Sequence, residues 1–404
     1  MRMVPSLLIL LILALIFRQA ALALLAATVL VSIGVARLWQ RWALQRVEYQ
    51  RTLSHLRAFP GDEVILTITV TNRKLLPLAQ VHIFDAIPSG VTVIDAPVIF
   101  SGSRQSSLIR RSTGLRWYER VIWRYRLRCD RRGTFRFGPA QAQSGDPFGL
   151  FRSDATFAAD VSLLVYPRLF SLADLGLPAY DPLGLMRASA LLRDPLRVVG
   201  VRDYTPSDPL KDVHWAATAR TGTLQTRVYE PTTSHVLALV LDLDTFEFYF
   251  QGIDPDLVEH LISVTATLAQ HSIGAGHAVG LYANGAPVED EHLVRLPPGR
   301  SPHQLAQMME TLARLTAYSV LPGARLLRLI TPELHPGATI VLIGAVASDP
   351  IRAALLRLRE LGFRVVWLFC GDRPPPAIPG VQTHWTPRRI EEAEAISVSY
   401  TPGG

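Results

Sequence analysis

Val236-Leu-Ala-Leu-Val-Leu-Asp-Leu-Asp-Thr-Phe246 joins an unbroken apolar run to two closely spaced carboxylates. The first six residues have the composition of a strand buried on both faces. His277–Ala283, Thr339–Gly344 and Phe363–Phe369 read as further strands. Pro255–Gln270, Pro302–Leu315 and Pro350–Leu361 read as helices between them, with Asp254 as a cap and Pro255 as a first helical residue. Strands alternating with helices predict a doubly wound parallel sheet over residues 236–404. Ligands of such sheets bind beyond the carboxyl ends of the strands. That places Asp242 and Asp244 at the candidate binding end.

The rest of the 404-residue chain excludes several enzyme classes. Lys74 and Lys211 are the only lysines and neither follows a glycine, so the Gly-Lys of a Walker A loop is absent. No histidine precedes a glutamate, which removes His-Glu-x-x-His, and Gly-x-Ser-x-Gly is missing too. Cys129 and Cys370 are too few and too far apart for a disulfide scaffold or a Cys-x-x-Cys site. Gly274-Ala-Gly276 with Gly280 has the wrong spacing for a dinucleotide fingerprint.

From Met3 to Ala36 the strongly polar residues are Arg18 and Gln19 alone. Two apolar stretches, Met3–Phe17 and Ala20–Ala36, predict a membrane-embedded helical hairpin over residues 1–45. A single tilted helix and a cleavable signal peptide are the alternatives. Arg37, Arg41, Arg46 and Arg51 follow the second stretch and place that side in the cytoplasm by the positive-inside rule. The expectation is a protein of the cell inner membrane with cytoplasmic soluble domains.

Residues 46–170 read as an antiparallel β-sandwich-like domain, with Val64–Val70 and Val81–Asp85 as strands and turn residues at short intervals. Val121, Trp123, Tyr125, Leu127 and Cys129 alternate with a face that is mostly Arg. Residues 101–140 hold eleven Arg against Glu119 and Asp130, a local charge of +9 that exceeds the +7 of the whole chain. A solvated outer face, anionic membrane lipid and nucleic acid are the readings of that patch. No nucleic-acid-binding motif accompanies the charge, so nucleic acid is not expected as a partner.

Between the two domains, residues 171–235 hold Gly200-Val-Arg-Asp-Tyr-Thr-Pro-Ser-Asp-Pro-Leu-Lys-Asp-Val-His-Trp-Ala-Ala-Thr-Ala-Arg-Thr-Gly-Thr-Leu-Gln-Thr-Arg-Val-Tyr-Glu230. This stretch resembles the signature of the domain of unknown function 58 family. Arg202, Tyr204, Asp208, Trp215, Ala219, Arg220, Gly222, Leu224 and Glu230 fit the pattern, while Ser207 and Ala216 depart from it. Arg131-Arg-Gly-Thr-Phe135 and Asp146-Pro-Phe-Gly-Leu-Phe151 are similar to the family's upstream segment. The resemblance implies a membrane anchor, a β domain, the signature and a von Willebrand factor A-like domain in that order. It also implies a MoxR-type AAA+ ATPase as partner, in assembly or maturation of envelope or protein complexes.

In a von Willebrand A fold the strand end usually holds magnesium through Asp-x-Ser-x-Ser. Here Asp242 matches, Asp244 replaces a hydroxyl with a charge, and Phe246 cannot ligate. The expectation is a degenerate site with no cofactor, or weak magnesium at most. Arg202, Asp208, Arg220 and Glu230 are expected to pair around a buried Trp215, with Tyr204 and His214 beside them, either as a conformational lock or as an interaction site. An Asp–His pair of His214 with Asp208 or Asp212 lacks a nucleophile at a telling spacing. The function expected is a membrane-anchored, non-enzymatic adaptor. An enzyme using Arg202–Glu230, and a structural envelope protein bound to anionic lipid, are the rivals.

Overall fold

The computed structural model describes residues 3–97, 99–100, 106–178, 193–206, 208–231, 236–288 and 292–386. Two compact units span Met1–Tyr166 and Pro167–Gly404.

The first unit opens with two apolar helices, α1 (Met3–Ile16) and α2 (Ala20–Ala43), which pack on one another. Arg18 makes the turn between them in a left-handed conformation, φ 52°. At ~1.5 Å per residue, α1 is about 21 Å long and α2 about 36 Å. Among the described residues, α2 is the one helix long and apolar enough to cross a membrane, by length and composition. Lys74 closes the C-terminus of α2 by donating to the carbonyls of Ala43 and Gln45, where a cation meets the negative end of the helix dipole.

The β part forms a four-stranded sheet (Val47–Leu53, Glu63–Asn72, Arg120–Cys129, Val91–Val93) and a five-stranded sheet that includes Leu78–Pro88, Ser106–Leu115, Ala140–Gly145 and Arg152–Phe157. Period-two alternation sends Leu66, Ile68, Tyr125 and Leu127 from the first sheet, and Val81, Ile83, Ile109 and Ala142 from the second, into one core. The opposite face of Arg120–Cys129 is exposed, as its sequence predicts. Much of its charge is locally answered: Arg126 pairs with Asp95 and Glu63, and Arg128 with Asp130.

Arg51 corrects the expected cytoplasmic arginine cluster. Its side chain is wholly buried and paired with Asp85. Its Nη1 donates to the Ala159 carbonyl at 2.7 Å, and the Tyr49 hydroxyl donates to Asp85 Oδ2 at 2.6 Å. Arg51 faces inward because Val47, Tyr49 and Arg51 share the core side of their strand, a register that the run of arginines does not reveal.

The second unit contains a two-stranded ribbon, Arg193–Asp203 with Gln225–Pro231, interrupted by α3 (Trp215–Thr221). A six-stranded sheet follows, built of β1 (Val236–Leu241), β2 (Ala278–Ala283), β3 (Val294–Gly299), β4 (Thr339–Gly344), β5 (Arg364–Phe369) and β6 (Gln382–Trp385). Its order is β3-β2-β1-β4-β5-β6, parallel except for the edge strand β3. The helices are α4 (Pro255–Gly274), α5 (Pro302–Arg314), α6 (Gly323–Ile330) and α7 (Asp349–Glu360). Ala238, Val240, Leu342 and Trp367 pack with α6 and α7, while α4 packs on β1, β2 and β4. Leu237, Leu239 and Leu241 point opposite to Ala238 and Val240 and are also buried, so helices cover both faces. Asp254 caps α4 by accepting the N–H groups of Asp256 and Leu257, each at 3.1 Å. The chain turns back between β1 and β4, which makes their carboxyl ends the switch point of the sheet.

Asp85→Ala strands the Arg51 guanidinium in the core, and breaking a buried pair costs about 3–5 kcal/mol. Chemical denaturation of the detergent-solubilised chain should show that loss. Arg126→Ala, on the exposed face, should leave the midpoint nearly unchanged.

Candidate functional site

Asp242 stands directly after β1 and is completely buried. Its backbone N–H donates to the Ile343 carbonyl at 2.8 Å, so it is held at the switch point between β1 and β4. Its Oδ1 accepts from Asn284 Nδ2 at 2.7 Å and from the Asp244 N–H at 3.2 Å. Asn284 follows β2 and is also buried; its Oδ1 accepts the Leu243 N–H at 2.8 Å, and its Nδ2 donates to the Leu321 carbonyl at 3.1 Å. Asp244 Oδ2 accepts the Gly323 N–H at 3.1 Å, at the positive end of α6. One acidic pair thus binds the ends of β1 and β4, the residue after β2 and the start of α6.

Asp242 Oδ2 has no hydrogen-bond partner. Gly323 closes over it so tightly that a Cβ there would overlap the carboxylate, and a Cβ on Gly344 would lie 3.2 Å from Asp242 Cβ. Burial first, and the neighbouring Asp244 charge second, push the Asp242 carboxyl well above the ordinary carboxylate range. Magnesium prefers a near-octahedral set of oxygens. Here N–H donors address both carboxylates, Gly323 covers the remaining oxygen of Asp242, and Phe246 stands where the motif has a hydroxyl. This donor set does not fit the ion. Among the described residues, no group of three or more His, Cys, Asp or Glu is placed to hold a metal.

Beyond the acids the chain turns outward and becomes aromatic. Phe246, Phe248 and Phe250 are 41%, 51% and 72% exposed. The rings of Phe248 and Phe250 stack with centroids 5.4 Å apart and planes at 12°. The loop is fixed at both ends, by Phe248 N–H on Gln251 Oε1 (3.2 Å) and by Asp254 N–H on Thr245 Oγ1 (3.1 Å). Val320 donates its N–H to the Asn284 carbonyl at 2.7 Å, which brings the exposed Tyr318 and Val320 to the same end of the sheet. An apolar rim therefore surrounds a closed acidic centre. Phe246-Glu-Phe-Tyr-Phe250 was the signal in the sequence, where Phe246 had meaning only as a missing metal ligand.

The signature residues form a different arrangement from the one expected. Arg202 Nη2 pairs with Asp208 Oδ1 at 2.7 Å. Asp208 Oδ2 also accepts the Thr205 N–H and hydroxyl, at 3.0 and 2.9 Å. The Thr205 N–H first, and Arg202 second, hold the Asp208 carboxyl down at about 2. Tyr204 donates its N–H to the Leu224 carbonyl at 2.8 Å. His214 caps α3, its Nδ1 accepting the Ala217 N–H at 3.0 Å. Trp215 is 67% exposed, which overturns the buried tryptophan: it opens a seven-residue helix that buries none of its own residues. Arg220 is exposed too, and no acid among the described residues pairs with it. Glu230 lies in the second ribbon strand, and its side chain is outside the described residues, as is Ser207. The lock that does form is largely uncharged. Buried Gln225 donates to Asp203 Oδ1 at 2.6 Å, its N–H donates to Thr218 Oγ1 at 3.0 Å, and its carbonyl accepts the His214 N–H at 2.8 Å. Asp208 and His214 are each committed elsewhere and make no Asp–His relay.

Gln225→Ala should destabilise the second unit by about 1–3 kcal/mol, the cost of stranding buried polar groups. Trp215→Ala should stay within about 0.5 kcal/mol, as surface changes usually do. Asp242, with its raised carboxyl, keeps a proton in the folded chain that the unfolded chain releases near pH 4. Its contribution is therefore complete below that pH and declines as pH rises above it. Asp242→Asn should flatten this decline and raise the melting temperature at neutral pH, read by melts across a pH series.

Residues 200–344 match the family model described as "Protein of unknown function DUF58". The chain is 24% identical over 325 residues to "Uncharacterized protein YeaD" of Bacillus subtilis (strain 168), covering 80% of this chain and 75% of that one. Among solved structures, a Salmonella alpha-2-macroglobulin mutant aligns with 30% of this chain at 17% identity and a TM-score of 0.23, and the chain spans only 9% of that protein. A CARDB domain from Pyrococcus furiosus aligns with 30% of this chain at 8% identity and a TM-score of 0.20, over 90% of its own length. The likeness to the domain of unknown function 58 family, carried by Gly200–Glu230, is thus met by a family match running from the ribbon to the end of β4.

Proposed function

We propose that this chain is a membrane-anchored, non-enzymatic docking protein whose partner surface is the aromatic rim at the switch point of its α/β sheet. The observation that carries this reading is the exposure of Phe246, Phe248 and Phe250 at the end of the sheet where such folds bind ligands. Contiguous exposed aromatic residues mark interaction sites, and interface cores are enriched in them. Stacking and end-to-end anchoring hold the rings in place before a partner arrives, which lowers the ordering cost of association.

The family resemblance supplies a von Willebrand A-like assignment for this sheet and a MoxR-type AAA+ ATPase as the partner. The docking would serve assembly or maturation of envelope or protein complexes, from the cytoplasmic face of the inner membrane. The rival enzyme reading gains little from Arg202–Glu230, where Asp208 is engaged by Thr205 and Arg202, and His214 Nδ1 by a helix N–H. On the basic sheet, Arg120 and Arg124 have no acidic partner among the described residues, which leaves a modest cationic face for lipid.

A Phe248→Ser/Phe250→Ser chain should melt like the parent, because both rings are exposed. Affinity capture of the ATPase from native membranes should fall by about 30-fold or more, since aromatic anchors contribute about 2 kcal/mol or more. Undiminished capture would remove the rim as the docking surface.

A further inference from the structure

The Asp146-Pro-Phe-Gly-Leu-Phe151 turn is built to present apolar side chains. Asp146 is 5% exposed, and its carboxylate accepts the N–H groups of Phe148 and Phe151. Gly149 supplies the left-handed residue, φ 70°, and donates to the Asp146 carbonyl at 3.1 Å. These bonds turn Phe148 and Leu150 outward, 57% and 53% exposed.

The turn lies against the membrane helix. The strands on either side of it, Ala140–Gly145 and Arg152–Phe157, both pack on α2. Gln40 Nε2 donates to the Arg152 carbonyl at 2.5 Å. Nearly one helical turn toward the apolar span, the Arg37 guanidinium lies over the Phe151 ring at 5.4 Å. Arg152 meets Gln40 and Phe151 meets Arg37, so the hairpin advances along α2 toward Ala36. Phe148 and Leu150 sit at the tip of this hairpin, three residues or fewer from Phe151. Ala20–Ala36 is about 26 Å of helix at ~1.5 Å per residue, close to the ~30 Å hydrocarbon thickness. Arg37, which meets Phe151, directly follows Ala36, so the turn joins α2 at the level where the span ends. Leu38 and Trp42, in the next two turns of α2, are exposed, and so are the charges of Arg41 and Arg152.

We infer that the Asp146–Phe151 turn is a lipid-inserting wedge. Phe148 and Leu150 enter the boundary between headgroups and acyl chains in the leaflet where α2 ends, and Arg37, Arg41 and Arg152 face anionic headgroups. Apolar side chains with flanking arginines are the composition that interfacial anchors use. The wedge fixes the first unit against the bilayer at a second point besides α2. The inference rests on reading α2 as a membrane span.

The test reports on that reading separately. Cys129 and Cys370 are buried, and burial pushes their thiols up to about 11 and about 12, so they resist labelling. Phe148→Cys, Leu150→Cys, Leu56→Cys and Leu24→Cys chains are each labelled with an environment-sensitive fluorophore. They are then reconstituted in phosphatidylcholine/phosphatidylglycerol vesicles carrying spin-labelled lipids. All four positions are exposed, and Leu56 follows the end of strand Val47–Leu53 that points away from α2. Labels at 148 and 150 should be blue-shifted and quenched several-fold more by shallow spin labels than the label at 56. The label at 24 should be quenched by deep ones. Quenching at 24 with 148 and 150 behaving like 56 overturns the wedge and leaves the anchor standing. No quenching at 24 overturns both.

Discussion

The buried, hydrogen-bonded side chain of Asp242 is the constraint around which the α/β unit is arranged. A charged or half-satisfied acid inside a sheet is costly, and the surrounding chain is arranged to receive it. Asn284 spends both ends of its amide on the Asp242–Leu243 segment and the Leu321 carbonyl. Gly323 and Gly344 are the residues whose missing side chains let the acid fit. Because Asp244 takes the first N–H of α6, the helix start is tied to the same point. These bonds close the centre of the site and leave its outer edge to Phe246, Phe248 and Phe250. The switch-point end of the sheet presents an apolar rim over a buried acid.

Much of this was legible in the sequence, and the failures have physical causes. Val236–Leu241 and Thr339–Gly344 are strands at the predicted bounds, because continuous apolar runs between turn residues leave few alternatives. The alternating Arg face of Arg120–Cys129 follows from period two alone. The helix Gly323–Ile330, which captures Asp244, was missed: it starts after a proline with no side-chain cap and spans only eight residues. Arg51 was misread because a charge gives no sign of its burial until the partner strand supplies Asp85.

The signature shows the same limit on a smaller scale. A tryptophan in a short segment among charges suggests a buried anchor, yet α3 is too short to pack a face and leaves Trp215 in solvent. The order in the ribbon comes from Gln225, Asp203, Thr218 and His214. Its centre, Gln225 with Thr218, is neutral and carries little weight in a pattern of charges. Within the site, the two acids were found from their spacing after β1. Asn284 was not, since a single asparagine after a strand has no motif to mark it.

Hydrogen exchange on the chain in nanodiscs, alone and with the proposed ATPase partner added, decides whether the switch point is the docking surface. New protection should be confined to the backbone of residues 244–254 and 318–321, around the aromatic rim. Protection that falls on the 202–230 ribbon with the rim unchanged would contradict it.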